Sequence, residues 1–334
     1  MSAVSKTHII YLEDLNYSNN LLENLRIYDW RIMSPIVSVI IVSYNTKSLL
    51  LDCIAKIPTS SLPKDQIEII VVDNHSTDGT LPALSSAYPT LKVIKNTVNR
   101  GFGGANNQGA DVAQGKYLLF LNTDAFLTPT VLPTLISYLD SHPRVVAVGP
   151  KYLYPDGSFQ PSAGYFPTLT RVMGWMWGLD RLPILKYFFP RPYHQENPNF
   201  YQSNQEVEWL MGACILLRRR DFAAVSGFDS KIFMYCEEVE LFLRLNQKTG
   251  MNCIYESSVS ITHIGSASTK KSGASRLVQE LRGIEYLYAK HYPGQLGYLR
   301  LLLYTGVLLR LIVFAFIPAK HEAMLEYKKY FQNT

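Results

Sequence analysis

Ile67-Glu68-Ile69-Ile70-Val71-Val72-Asp73 and Tyr117-Leu118-Leu119-Phe120-Leu121-Asn122-Thr123-Asp124 decide the reading of this chain. Each is a run of β-branched, aliphatic and aromatic residues, nearly free of polar interruption, that stops at an acid. Such runs belong in a parallel sheet covered on both faces. In open sheets of that kind, ligands bind outside the carboxyl ends of the strands. Two carboxylates delivered to one edge can hold the polar end of a ligand and a metal ion. The pair therefore points to an enzyme with a nucleotide-type ligand.

Working outward, Val37-Ser38-Val39-Ile40-Ile41-Val42-Ser43-Tyr44-Asn45 reads as another strand ending in polar residues, followed by a helix over 47–56 closed by Pro58. Asn74-His75-Ser76-Thr77-Asp78-Gly79 is a turn that caps a helix near 81–87. A short strand is expected at 91–95, a glycine- and asparagine-rich loop running into a helix over 101–115, a helix over 128–141 with Pro129 in its first turn, and a strand over 145–149. This alternation implies a parallel sheet with right-handed crossovers. From 151 to 205 proline, tyrosine and tryptophan dominate, the pattern of a substrate-shaping excursion. Regular structure returns over 207–217, followed by a helix over 239–247 and a strand over 252–255. A polar loop over 257–271 is expected to hold His263, and an amphipathic helix to span 275–291. Residues 1–34 read as a peripheral extension with a helix at 20–27.

The 334 residues, 47% hydrophobic and 18% charged, fit a folded protein rather than a disordered one. A formal net charge of +5 is too weak to imply nucleic acid but suits anionic substrates or a negatively charged membrane face. Cys53, Cys214, Cys236 and Cys253 show no CxxC pairing, so buried reduced thiols are expected. Glu13 and Asp14 interrupt any apolar signal region, which gives a cytoplasmic expectation. The stretch 299–317 is nearly all apolar but carries Arg310, with Arg300 and Lys320 at its ends. A spanning helix needs about 20 apolar residues, and a central arginine costs roughly 2.5–3.5 kcal/mol on insertion scales. A helix lying in the interface, its arginines reaching the headgroups, avoids that cost and is preferred to a spanning one; a buried core helix is the third reading.

Several residues could carry chemistry. Asp73 can accept hydrogen bonds from a base or a ribose hydroxyl, whereas capping alone explains Ser76 or Asp78. Asp124 can hold a hard divalent ion on diphosphate oxygens or cap the following helix. Asn99-Arg100-Gly101-Phe102-Gly103-Gly104-Ala105-Asn106-Asn107 lacks the last glycine of the dinucleotide fingerprint, Asn106 standing there, and no GxxxxGK[ST] occurs. A dehydrogenase or P-loop reading is weak; the glycines instead let backbone approach a ligand, with Arg100 available to phosphates. Glu237-Glu238-Val239-Glu240 is either a solvated helix start or places one acid in a cleft, where burial makes it a base near neutral pH. His263 is a polar core residue or a ligand. Trp175, Trp177 and Trp209 are core or a sugar-stacking platform. Arg218-Arg219-Arg220 reads as solvated.

Together with Trp209-Leu210-Met211-Gly212-Ala213, Met234-Tyr235-Cys236-Glu237-Glu238-Val239-Glu240-Leu241 and His263-Ile264-Gly265-Ser266, these motifs resemble the family 2 glycosyltransferases, in the rhamnosyltransferase-like branch. The resemblance covers about residues 36 to 268. It implies a GT-A-type fold with a mostly parallel central sheet flanked by helices: an extension over 1–34, the transferase domain over 35–273 and membrane-associating helices over 274–334. It also implies a nucleotide-diphospho-sugar donor, with dTDP-L-rhamnose the best guess, a Mg or Mn ion, and inversion at the anomeric carbon. The acceptor would be a glycan or a lipid-linked sugar at the inner face of the plasma membrane. Carried over position by position, Ser43, Tyr44, Asn45, Asp73, Asn74, Asp78, Arg100, Gly101, Asn106, Asn122 and Thr123 lie on the donor side. Asp124 and His263 would hold the metal, and Trp209 and Gly212 would meet the acceptor. Glu238 takes the place of the general base, with Glu237 the second candidate. Two positions depart from the family pattern: Asn122 stands where a further acid is usual, and Glu237-Glu238 where Glu-Asp is common. A catalytically silent sugar-nucleotide or glycan-binding subunit is the rival reading.

Overall fold

Strand register brings the acid-terminated segments level. In the computed structural model, which describes residues 35–57, 60–265, 276–317 and 320–332, β1 (Val37–Ser43) lies between β2 (Ile67–Asp73) and β4 (Tyr117–Asn122), parallel to both. Val37 pairs with Ile67 and Tyr117, and the register holds to Ser43 beside Asp73 and Val42 beside Asn122. The helix expected at 20–27 and the loop residues 266–271 lie outside the described residues. Alternate residues of these strands feed opposite layers. Val39, Ile41, Val71 and Leu119 pack with Leu50, Cys53 and Ile54 of α1 (Lys47–Lys56), while Ile40, Ile70, Leu118 and Phe120 pack into the other core. Both faces are dry, which is why the strands carry no polar alternation.

The sheet order is β3-β2-β1-β4-β11-β6-β12-β5, with β3 (Lys92–Lys95) at the parallel edge. β11 (Cys214–Arg218) runs antiparallel to both β4 and β6 (Ala147–Leu153), and β12 (Cys253–His263) is parallel to β6. β5 (Ala125–Leu127) follows β4 after two residues yet pairs with β12 at the far end of the order, so the sheet curls. The regular structure expected over 207–217 consists of β9 (Gln205–Val207), β10 (Trp209–Leu210) and β11; β10 leaves the main sheet to pair with β8 (Ala163–Gly164). His263 is not in a loop. β12 continues through a register shift between Glu256 and Ser260 and sets His263 opposite Ala125.

The glycine-rich segment is also not a loop. α3 (Gly101–Val112) begins at its first glycine, and its glycines are close-approach points: a Cβ on Gly109 would stand 2.5 Å from Ile40, and one on Gly103 2.9 Å from Phe228. Arg218 is buried rather than solvated, donating to the carbonyls of Leu139 (2.5 Å), Val145 (2.6 Å) and His142 (3.1 Å) around the end of α4 (Val131–Ser141), where helix carbonyls lack internal partners. All four cysteines are free and buried, as expected.

Three helices close the chain: α8 (Arg276–His291), α9 (Leu296–Ala315) and α10 (His321–Gln332), after α5 (Leu169–Trp177), α6 (Arg219–Ala224) and α7 (Glu237–Thr249). α9 buries Leu299, Leu303, Gly306 and Val307, and Gly306 lets Met176 and Trp177 of α5 come close. Leu301, Leu308, Ile312 and Phe316 remain exposed. Arg310 does not reach outward. Its Nε donates to Met176 O at 2.8 Å, and its other nitrogens bond to Trp175 O and the Tyr327 hydroxyl, because the carbonyls ending α5 need donors.

Candidate active site

The polar segments after β1 and β2 are knotted together. Asn45, in left-handed backbone (φ 56°), donates its N–H to Ser76 Oγ and accepts from Thr77 N at 2.7 Å. Asp78 caps both following helices: Oδ2 accepts from Lys47 N (2.9 Å) and Oδ1 from Thr80 N (3.2 Å) and its hydroxyl (2.5 Å). Asn74 is a strut whose Nδ2 donates to Asn99 Oδ1 and whose Oδ1 accepts from Arg100 N, fixing the entry to α3. Asn106 turns its amide to Phe102 O within its own helix, and Ser43 Oγ pairs with Thr46 Oγ1. Asp73 differs. It is 1% exposed, Oδ2 accepts from Ser76 N, and Oδ1 is buried with no hydrogen-bond partner.

The curl of the sheet places His263 beside Asp124, with Nε2 3.5 Å from Asp124 Oδ1. Nδ1 is held by Gln160 Oε1 at 3.0 Å, while Nε2 is buried without a hydrogen-bond partner among the described residues. An imidazole oriented through one nitrogen, with the other beside a carboxylate, could hold a divalent cation. Among the described residues no third His, Cys, Asp or Glu joins them. A carboxylate oxygen and an imidazole nitrogen are donors that Mg or Mn could accept.

Facing this pair, Glu237 and Glu238 open α7. Tyr235 (φ 66°) and Cys236 (φ 74°) precede them in consecutive left-handed conformations, a strain held from outside by α8. A Cβ on Gly283 would stand 2.5 Å from Cys236 Cβ and 2.8 Å from Tyr235 O. Burial raises the pKa of the Glu237 carboxyl well above its usual range, and the charge of neighbouring Glu238 raises it further. Glu238 is also raised, first by burial, although the Gly212 N–H bonded to it works the other way. Oε2 of each acid is buried and, among the described residues, unpartnered. This pair holds a proton to higher pH than an exposed carboxyl does. Glu240, by contrast, is fully buried in a structural hub with Arg244, Lys290 (2.7 Å) and His291 (3.0 Å).

A cavity of about 740 Å³ joins these groups. Tyr44, Asn74, Gly101, Asn122, Thr123, Asp124, Trp209, Gly212, Glu237, Glu238 and His263 line it; Ser43, Asn45, Asp73, Asp78, Arg100 and Asn106 do not. Trp209 is a wall rather than a stacking platform: it is 5% exposed and its Nε1 donates to the carbonyls of Tyr165 and Tyr193. Gln160, Tyr193, His194, Arg276 and Glu280 also line the cavity and escaped the sequence reading, since none sits in a recognisable motif.

The profile of glycosyl transferase family 2 matches residues 38–240. The chain belongs to that family. This family 2 chain is 30% identical over 278 residues to the N-acetylglucosaminyl-diphospho-decaprenol L-rhamnosyltransferase of Mycobacterium tuberculosis, covering 78% of itself and 87% of that protein. It is 30% identical over 221 residues to the rhamnosyltransferase WbbL of Escherichia coli, covering 63% of itself and 76% of WbbL. Its fold is GT-A. The mannosyltransferase PcManGT of Pyrobaculum calidifontis, solved with GDP-Man and Mn2+, superposes with a TM-score of 0.51 at 18% identity, over 90% of this chain and 83% of PcManGT.

Proposed function

We propose that this glycosyltransferase moves a sugar, with L-rhamnose from dTDP-L-rhamnose as the leading candidate, onto a lipid-linked glycan, with inversion and with help from a divalent cation. The observation that carries the reading is the convergence of two pairs on one cavity: Asp124 with His263 at one end, and Glu237 with Glu238 facing them. Glu238 takes the proton of an acceptor hydroxyl, that oxygen bonds to the anomeric carbon, and the carbon–oxygen bond to the diphosphate breaks on the opposite face. One base suffices for direct displacement, unlike the carboxylate pair of retaining hydrolases. Asp124 and His263 would hold Mg or Mn, which when bound supplies positive charge to the diphosphate. Asn74 and the entry of α3 shape the donor end, while Asp73 lies buried behind them, off the cavity lining.

The rhamnosyl donor and the lipid-linked acceptor are supported by the names of the two relatives. Peripheral membrane association is supported by α9, within a stretch from Pro293 to Ala315 that is long and apolar enough to cross a bilayer and only 22% buried over its most apolar window. Titration with nucleoside diphosphates, with and without manganese, tests the reading; absence of binding in both conditions removes it. The rival, a silent binding subunit, draws on Asn122 and on the lack of a third ligand beside Asp124 and His263. Donor binding without transfer to any lipid-linked acceptor favours it.

A further inference from the structure

Beyond Glu237 and Glu238 the cavity continues into a lobe that the chemistry above does not use. Its wall is made by Trp175, Tyr193, His194, Arg276, Glu280 and Tyr327. Glu280 is the centre of this lobe. It is 9% exposed, and its Oε1 accepts from both His194 Nε2 (2.8 Å) and the Tyr193 hydroxyl (3.2 Å). Among the described residues its Oε2 takes no hydrogen bond, although Glu280 lines the cavity. The His194 ring meets Trp175 edge-on at 5.1 Å and Trp209 at 5.5 Å, so aromatic and imidazole rings surround the carboxylate.

A buried carboxylate is a costly wall element, and an apolar side chain of the same volume serves packing better. Its retention here makes sense if the open oxygen meets a ligand. A carboxylate oxygen accepts hydroxyl hydrogens, and ring edges cover C–H surface; together they suit a polyhydroxylated ring. The charge pattern argues against the other half of the reaction. Among the described lining residues near Glu280, the acids Glu237 and Glu238 stand against the guanidinium of Arg276, while Glu326 is paired with Lys329 and Glu280 with His194, a balance that disfavours a diphosphate against Glu280. Glu280 is also near enough to Glu238 for its charge to add to the effect of burial on that carboxyl.

We propose that this lobe is the acceptor subsite, in which Glu280 Oε2 accepts a hydrogen bond from a hydroxyl of a neutral sugar ring and so presents another hydroxyl of that ring to Glu238. The proposal rests on the glycosyltransferase reading and deepens it: the hydroxyl-bearing face of a neutral acceptor ring, not a phosphate, meets Glu280. Glu280 is then a specificity residue, with His194 and Tyr193 positioning it.

The test is binding of octyl hexosides (gluco, galacto, manno and N-acetylglucosamine forms) to the full chain with manganese and nucleoside diphosphate present, measured by saturation-transfer NMR. Glucose 6-phosphate serves as the anionic probe. At least one neutral hexoside should bind the wild type. Glu280→Gln should weaken it about tenfold and Glu280→Met at least as much, the scale of a lost hydrogen bond to a charged group. Nucleotide affinity should stay within twofold in both variants, a split that a merely structural role does not produce. Three results overturn the proposal: no hexoside binds the wild type, both variants bind it within twofold of wild type, or glucose 6-phosphate binds better than the neutral sugars. Failure of the wild type to bind any nucleoside diphosphate would instead strike the glycosyltransferase reading itself.

Discussion

Replacing Glu237 by Gln separates the two carboxyls that open α7 and tells which one is the base. Both are buried side by side at the start of one helix, so their proton affinity belongs to the pair. Two like charges a few ångströms apart repel by on the order of a few kcal/mol at an effective dielectric near 20. Only about 1.4 kcal/mol of that needs to act on the remaining acid to move a titration by about one pH unit. Gln keeps the shape, removes the charge, and can still donate to Glu238. The pair's raised pKa makes activity fall as pH drops through it, so in Glu237→Gln the acid limb of kcat/KM should move to lower pH by at least about one unit. Its plateau should stay within about threefold. Glu238→Gln should lose about 10²–10⁴-fold at every pH while still binding donor. The assay is transfer of labelled sugar from pH 5 to 9. Abolition of activity by Glu237→Gln with survival of Glu238→Gln, or an acid limb displaced upward, refutes the assignment.

Asp124→Asn should weaken manganese-dependent nucleotide binding at least tenfold while leaving metal-free binding nearly unchanged, by calorimetric titration; equal losses in both conditions count against the cation site. Arg310→Met should destabilise the fold by about 1–3 kcal/mol in urea unfolding, because carbonyls at the end of α5 lose their donor. An unchanged midpoint would mean that the contact carries no stability. Glu240→Gln should cost about 3–5 kcal/mol, since Arg244, Lys290 and His291 lose a fully buried counter-charge. Burial opposes ionisation of Glu240, but Arg244, Lys290 and the hydrogen bond from His291 hold its carboxyl below the usual range, and Asp229, against Lys290, is held at about 2 despite partial burial. Depressed carboxyls stabilise above their unfolded pKa and lose that contribution as pH falls through the folded one, so acid should unfold wild type more steeply than Glu240→Gln.

The strand half of the fold was legible because burial on both faces leaves an unmistakable apolar run, as in 67–73 and 117–121, and each run ended at chemistry. Asp124, Glu238 and His263 were named from sequence motifs and meet at one cavity. What escaped was everything decided by tertiary contact. The glycines of α3 looked like loop formers, yet Gly109 is there so that helix can touch Ile40. Arg218 and Arg310 carry charges that composition assigns to solvent, but unpaired helix-end carbonyls inside the fold claim both. Glu280 and His194 lie 86 residues apart in sequence, and no local pattern announces that they share a hydrogen bond.

The left-handed turn at Tyr235 and Cys236 has a bearing on when this molecule becomes competent. Its restraint, Gly283, is translated almost fifty residues later, so the reactive acids cannot be locked into place until α8 has been made and has docked. A nascent or truncated chain with a finished sheet but no such clamp would display a nucleotide edge with nothing aligned to use it. Maturation of the catalyst is thereby tied to the docking of α8.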